Sequence, residues 1–225
     1  MSEPVHVAVI CEGPTERIFV DVILAPHFHT LGIFMTPMIL TKKGEKGGDV
    51  KYSRLFDDLK RHLQQSHNRC VTTLFDFYGL TDLWPGYEEA KTKQSPAEKQ
   101  AVISDAVKRT ADGSLEDWRS FERFLPHFVM HEIEALYFSC PVTLAAKLYV
   151  DVARVQAIVI ECGEPEAINH VKETSPSHRL MALGSFRKTS TGIAIAKEIG
   201  LPKMRAACPL FDQWMCKIET LAKKI

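Results

Sequence analysis

Short apolar runs alternate with stretches of helical periodicity through the first half of the chain. Residues 5–11 (VHVAVIC) are rich in valine and isoleucine, as expected of a parallel strand covered on both faces. Pro14 follows where a helix would begin, and Ile18, Phe19, Val22 and Ile23 recur at helical spacing. Residues 32–40 (GIFMTPMIL) predict a second strand with its proline at an edge or bulge, and the polar, Gly-rich run TKKGEKGGD after it predicts a loop. Leu55, Phe56, Leu59 and Leu63 mark an amphipathic helix from Tyr52. Residues 70–79 (CVTTLFDFYG) then predict a strand that ends in Asp76 and is stopped by Gly79. The order β-α-β-α-β argues for an α/β sheet, mainly parallel, with right-handed crossovers.

The middle of the chain reads differently. Residues 80–100 are polar and broken by prolines, which predicts a long surface loop leading to a helix near 97–111. The apolar pattern resumes at residues 121–138, where Phe128, Val129 and Met130 close a fourth strand and EIEALYF opens a helix. Beyond it the chain reads as mainly helical, ending in a helix that carries Phe211, Trp214, Met215, Ile218 and Leu221. The expected division is an α/β core over 1–145, including the polar loop near 80–100, and a mainly helical C-terminal extension over 146–225 packed on it. No repeat, low-complexity tract or long linker interrupts this arrangement.

Composition narrows the picture only slightly. The 225 residues and 45% hydrophobic content suffice for a substantial core, which excludes a disordered chain. Lysine plus arginine, 28, equals aspartate plus glutamate, 28, so attraction to phosphates must come from local clusters. Six cysteines without a Cys-x-x-Cys spacing suit neither a disulfide framework nor a zinc ribbon, and a reducing cytoplasm fits them best. No apolar run approaches the ~20 residues of a membrane span, and no basic region precedes an apolar signal core, so no membrane association is expected.

The chemistry lies in acids at the ends of strands. In open α/β sheets, ligands gather beyond the carboxyl ends of the strands, and Glu12, Asp76 and the pair Glu132 and Glu134 all fall there. Clustered carboxylates repel unless a cation offsets them, and hard oxygen ligands with room for water suit Mg²⁺ or Mn²⁺. Such an ion could support phosphodiester cleavage. Each acid also has a plainer reading. Glu16, a further candidate metal ligand, stands in the first turn of a helix, where the macrodipole favours an acid; Glu12 could cap that helix, and Asp76 the turn at Gly79. On one continuous helix Glu132 and Glu134 would point roughly 200° apart, so both serve one site only if the strand-to-helix break falls between them. HEIEA is not a zinc-protease motif, because Ala135 stands where the second histidine would be.

Supporting cations and hydroxyls are present. Lys42, Lys43 and Lys46 flank a flexible backbone that could approach a phosphate, or they belong to a solvated loop. Arg179, in TSPSHRL, could fork onto a phosphate or one of the acids, with a structural salt bridge as the rival reading. Lys188 is a weaker candidate of the same kind, and His131 beside Glu132 a proton shuttle or metal neighbour. His27 and His29 lack a third ligand nearby in sequence.

The blocks CEGPTE (11–16), KGG (46–48), FDFYGL with WPG (75–80 and 84–86), HEIEALYF (131–138), TSPSHRL (174–180) and CPLFDQW (208–214) resemble, in order, the motif series of the domain-of-unknown-function 4276 family. A glutamate in the turn after the first strand, an acidic motif after a later strand of the same sheet and further acids beyond also look like the Toprim fold of topoisomerases, primases and nucleases of the overcoming-lysogenization type. The resemblance implies a Toprim-like core, a divalent cation, Mg²⁺ or Mn²⁺, and a place in bacterial anti-phage or abortive-infection systems beside an ABC- or SMC-type ATPase. Glu12 matches the Toprim glutamate and Asp76 the first acid of its Asp-x-Asp motif; Tyr78 replaces the second. The expectation is a metal-dependent nuclease or phosphoryl-transfer enzyme acting on nucleic acid, with Glu12, Asp76, Glu132 and Glu134 as ligands. The alternative is a degenerate Toprim-like subunit that binds nucleic acid or an ATPase and does no chemistry.

Overall fold

Seven residues with almost no exposed side chains, Val5–Cys11, form β1, and the computed structural model, which describes residues 4–40, 51–168 and 171–223, places a parallel strand on each side of it. β2 (Ile33–Ile39) pairs on one side and β3 (Arg69–Asp76) on the other. β4 (Phe124–Leu125) extends the sheet beyond β3, giving the order β2-β1-β3-β4, and β5 (Phe128–Val129) also pairs with β3. The α/β fold and mainly parallel sheet are as the periodicity predicts. β1 and β3 are the buried strands, whereas β2 alternates and carries Pro37 on the sheet edge, where a missing N–H is tolerated.

The first crossover is one helical run with a slipped register. α1 (Pro14–Phe19) passes through a π turn at Val20–Leu24 into α2 (Ala25–His29). Pro26 lacks the N–H that an α-helix would need, and the ladder shifts to a bond from Ala25 N–H to the Val20 carbonyl. The helix therefore continues past the proline. α3 (Tyr52–Gln65) makes the second crossover and buries Leu55, Leu59 and Leu63, as its spacing predicts.

Residues 80–100 depart from expectation. They hold α4 (Tyr87–Lys91) and lead into α5 (Pro96–Ser114), and Leu80, Trp84, Tyr87 and Ala90 are buried. Trp84 meets Phe75 and Phe128 edge-on, each with ring centroids 5.8 Å apart, so this polar stretch covers one face of β3. Gly86 makes the approach possible: at φ 77° it lies so close to α5 that a Cβ would sit 2.4 Å from Ala106. α6 (Ser120–Arg123) then delivers the chain to β4.

The chain divides into two units, the first comprising 1–128 with 216–225 and the second 129–215. The division falls ahead of the 145/146 boundary expected from the sequence. Residues 133–139 are a buried 3-10 run that packs within the second unit against helices that follow it. It meets α7 (Pro141–Leu148), α9 (Pro176–Leu183), α10 (Ile193–Ile199) and α11 (Leu201–Ala207), and the other helices after it are α8 (Val152–Cys162) and α12 (Pro209–Glu219). Phe211 and Trp214 are core residues, 1% and 2% exposed, not stacking platforms. No helix among the described residues is long and apolar enough to cross a membrane.

Candidate functional site

The strand order places a crevice at the carboxyl edge of the first unit. The chain runs outward from β1 to β2 and then crosses back past β1 to β3, so the topological switch point lies between β1 and β3. Glu12 is the first residue after β1 and Asp76 the last residue of β3. Cys11 is in register with Leu74, and Glu12 N–H donates to the Leu74 carbonyl at 3.3 Å, which brings Asp76 alongside. The Asp76 backbone N–H then donates to Oε2 of Glu12 at 3.3 Å. The two acids meet.

The helix after Glu12 has Gly13 at its N-cap, and Glu16 reaches back so that Oε2 accepts the Gly13 N–H at 2.9 Å. Glu16 is thus the helix-start residue, and Glu12 is not the cap. Asp76 occupies the N-cap position of the 3-10 turn Phe77–Gly79, but its side chain makes no capping bond. Gly79 closes that turn against the acids: a Cβ there would lie 3.3 Å from both oxygens of Glu12 and 3.6 Å from Cβ of Asp76. The absent side chain leaves a small space against the carboxylate.

Tyr78 projects from the same turn, 37% exposed. Lys99, on α5, donates to the Tyr78 hydroxyl at 2.8 Å and lies 5.4 Å from the ring centroid. This ammonium at the carboxyl edge was missed in the sequence, where Lys99 is one of several charges on an amphipathic helix. Lys42, Lys43 and Lys46 lie outside the described residues.

In the second unit Glu132 and Glu134 form a different arrangement. Glu132 is extended, at φ −99° and ψ 154°, and the 3-10 run starts at Ile133, so the break falls between the two acids. Both face one lysine: Lys188 Nζ is 2.7 Å from Oε1 of Glu132 and 3.5 Å from Oε1 of Glu134. Glu132 also accepts from the backbone N–H and the hydroxyl of Ser177, each at 2.7 Å, and so caps the first turn of α9 from outside the helix. Burial opposes the ionised form of Glu132, but Lys188 and Ser177 outweigh it and hold the carboxyl below its ordinary range. Lys188, read as a nucleic-acid contact, is therefore the counter-ion of an acid pair. Ser177 was legible only as a residue near a proline turn.

Arg179 takes its structural reading. Its guanidinium forks onto Glu161, at 2.8 and 3.1 Å, and donates to the Thr174 carbonyl, so it grips none of the four acids. His131 is buried beside Glu132. His27, in the first unit, lies 3.1 Å from Glu219.

Among the described residues no group of three or more His, Cys, Asp or Glu side chains is placed to hold a metal ion. Glu12 and Asp76 are a pair of hard oxygen donors beside a space that a Cβ would fill. That donor set suits Mg²⁺ or Mn²⁺ of the kind held by one or two carboxylates, with water and substrate phosphate completing the shell. It does not suit a closed structural zinc site.

A family model described as a domain of unknown function (DUF4276) matches residues 11–219, nearly the whole chain. No curated protein and no solved structure matches it.

Proposed function

The chain belongs to the DUF4276 family, and from that premise we propose that it is a Toprim-like, divalent-metal-dependent nuclease or phosphoryl-transfer enzyme acting on nucleic acid. The observation that carries the reading is the meeting of Glu12 and Asp76 at the switch point between β1 and β3. Glu12 and Asp76 would hold Mg²⁺ or Mn²⁺, which would supply Lewis-acid stabilisation of charge on a phosphoryl oxygen. The Asp76 N–H orients one Glu12 oxygen, and Gly79 keeps the carboxylate accessible. Lys99, steadied by Tyr78, would take a phosphate oxygen of the backbone. A setting in anti-phage defence beside an ABC- or SMC-type ATPase belongs to the same proposal and rests on the motif resemblance.

One observation favours a second reading. Tyr78 stands where a Toprim site has its second acid, and its hydroxyl is already bonded to Lys99. A degenerate subunit that binds nucleic acid or an ATPase without cleaving would retain that geometry.

The test is incubation of plasmid, linear DNA and RNA with the protein in Mg²⁺, Mn²⁺ or EDTA, beside Glu12→Gln and Asp76→Asn. The expected result is metal-dependent cleavage, reduced on the order of a hundredfold or more in each variant. Cleavage that survives both substitutions overturns the site. Binding of nucleic acid or an ATPase with no cleavage establishes the second reading.

A further inference from the structure

Two side chains converge on the sulfur of Cys140, the residue before α7. Lys203, from α11, donates from Nζ to Sγ at 3.6 Å, and the Thr143 hydroxyl lies 3.1 Å from the same atom. All three residues belong to the second unit. Cys140 is half-buried and Lys203 exposed, so the pair is open to small solutes.

A structural role does not account for the arrangement. Cys140 holds the N-cap position of α7, but its side chain makes no capping bond, and cysteine is not among the residues that cap well. Among the described residues no carboxylate pairs with Lys203; the partner of its ammonium is the sulfur. An ammonium held against a thiol is instead the setting of a reactive cysteine.

The surroundings favour the thiolate. Burial opposes it, but Thr143 and, less, Lys203 outweigh that burial and hold the thiol below its ordinary pKa. The amino end of α7 adds a partial positive charge on the same side. Cys11 and Cys208 form the contrast, because both are buried and burial pushes their thiols up.

The geometry points to a peroxide-responsive covalent link between Cys140 and Lys203. The thiolate attacks one oxygen of hydrogen peroxide, so that an S–O bond forms and the O–O bond breaks. The leaving hydroxide takes a proton from the Lys203 ammonium and departs as water. Sulfur is thereby oxidised by two electrons to the sulfenic acid, and the peroxide is reduced. Lys203 is left as a neutral amine beside an electrophilic sulfur. Its flexible stem lets the nitrogen attack, an S–N bond forms, the S–O bond breaks, and the hydroxyl leaves with an amine proton as a second water. The product is a sulfenamide, the condensation that sulfenic acids also undergo with backbone nitrogen. It ties the start of α7 to α11 across 63 residues of sequence until a thiol reduces it. The link lies in the second unit and Glu12 and Asp76 in the first, so its fate is independent of the proposed nuclease.

The experiment treats the full chain with a small excess of hydrogen peroxide and reads intact mass and mapped peptides before and after dithiothreitol. The expected product is lighter than the reduced protein by two hydrogens, carries the Cys140 and Lys203 peptides joined, and returns to the starting mass in dithiothreitol. Lys203→Arg keeps the cation, but a guanidinium does not give up its proton and cannot condense. That variant should stop at the sulfenic acid, trapped by dimedone on Cys140, with no joined peptide. A wild-type protein that peroxide leaves unchanged overturns the proposal. So does oxidation at Cys140 without a joined Lys203 peptide, or a product in which Cys140 is joined to another cysteine.

Discussion

Gly79→Ala separates the metal proposal from the stability of the fold. The added methyl would stand 3.3 Å from both oxygens of Glu12, tighter than ordinary contact, so the carboxylate must shift by a few tenths of an ångström. Mg²⁺ demands near-octahedral geometry at about 2.0–2.1 Å and tolerates deviations of only about 0.2 Å. A shift of that size, with the loss of space for water, should weaken binding about tenfold or more. Stability responds otherwise. Gly79 is not among the glycines with positive φ, so alanine fits its backbone. The restricted unfolded chain then contributes roughly 0.4–1 kcal/mol of stabilisation, set against the tight contact. Net stability should stay within about 1 kcal/mol of wild type. Mn²⁺ titration followed by electron paramagnetic resonance reads the affinity, and thermal unfolding in EDTA reads the fold. A variant that melts normally and binds Mn²⁺ as tightly as wild type would show that the Glu12 carboxylate is not a ligand.

Three further outcomes follow from buried charge. His127 is held neutral, its pKa pushed down to about 3 by burial and, less, by Lys217; the stability this gives is present above the unfolded value near 6.5 and is lost as pH falls. From pH 7 to pH 5 the first unit should lose about 2 kcal/mol in denaturant titrations, and His127→Gln should flatten that slope. Glu166 caps α12 through the N–H groups of Leu210 and Phe211, and burial pushes its pKa up to about 7, so its contribution is full below about 4.5 and fades as pH rises through 7. The protection factors of the Leu210 and Phe211 amides, with the intrinsic rise of exchange with pH divided out, should fall over that range in wild type and not in Glu166→Gln. Lys188→Met should destabilise the second unit by about 1–2 kcal/mol at pH 7, discounted because the lysine is 43% exposed, and by less as acid protonates Glu132. Unchanged unfolding with a reduced salt dependence of nucleic-acid binding would restore Lys188 to the role of a phosphate contact.

The strands that were legible in the sequence are those whose environment is uniform. β1 and β3 are covered on both faces, so an unbroken apolar run reported them, and β1 has the predicted bounds. β4 was not predicted, because a two-residue strand between Arg123 and Pro126 owes its existence to pairing with β3 and carries no periodicity. Residues 80–100 were read as surface because their mean polarity reflects the outward residues. The buried positions Leu80, Trp84, Tyr87 and Ala90 recur at intervals of three and four, a helical signal that Pro85 and Gly86 concealed. Periodicity, rather than composition, would have found the cover over β3.

For the site, one sequence feature had two physical outcomes. An acid after a buried strand must have its charge answered, and that rule singled out Glu12 and Glu132 alike. What answers it is a tertiary matter. For Glu132 the answer comes from within the second unit, from Ser177 forty-five residues on and Lys188 fifty-six, at distances no local pattern encodes. A cation arriving there would compete with an ammonium 2.7 Å away. For Glu12 the residue brought alongside is a second acid, Asp76, and the turn that follows gives up a side chain beside the carboxylate. Like charges gathered at a switch point are stabilised by the arrival of a cation, whereas a closed ion pair is not. The proposed metal therefore belongs with Glu12 and Asp76, while Glu132 has a structural tie, although the sequence offered both acids on equal terms.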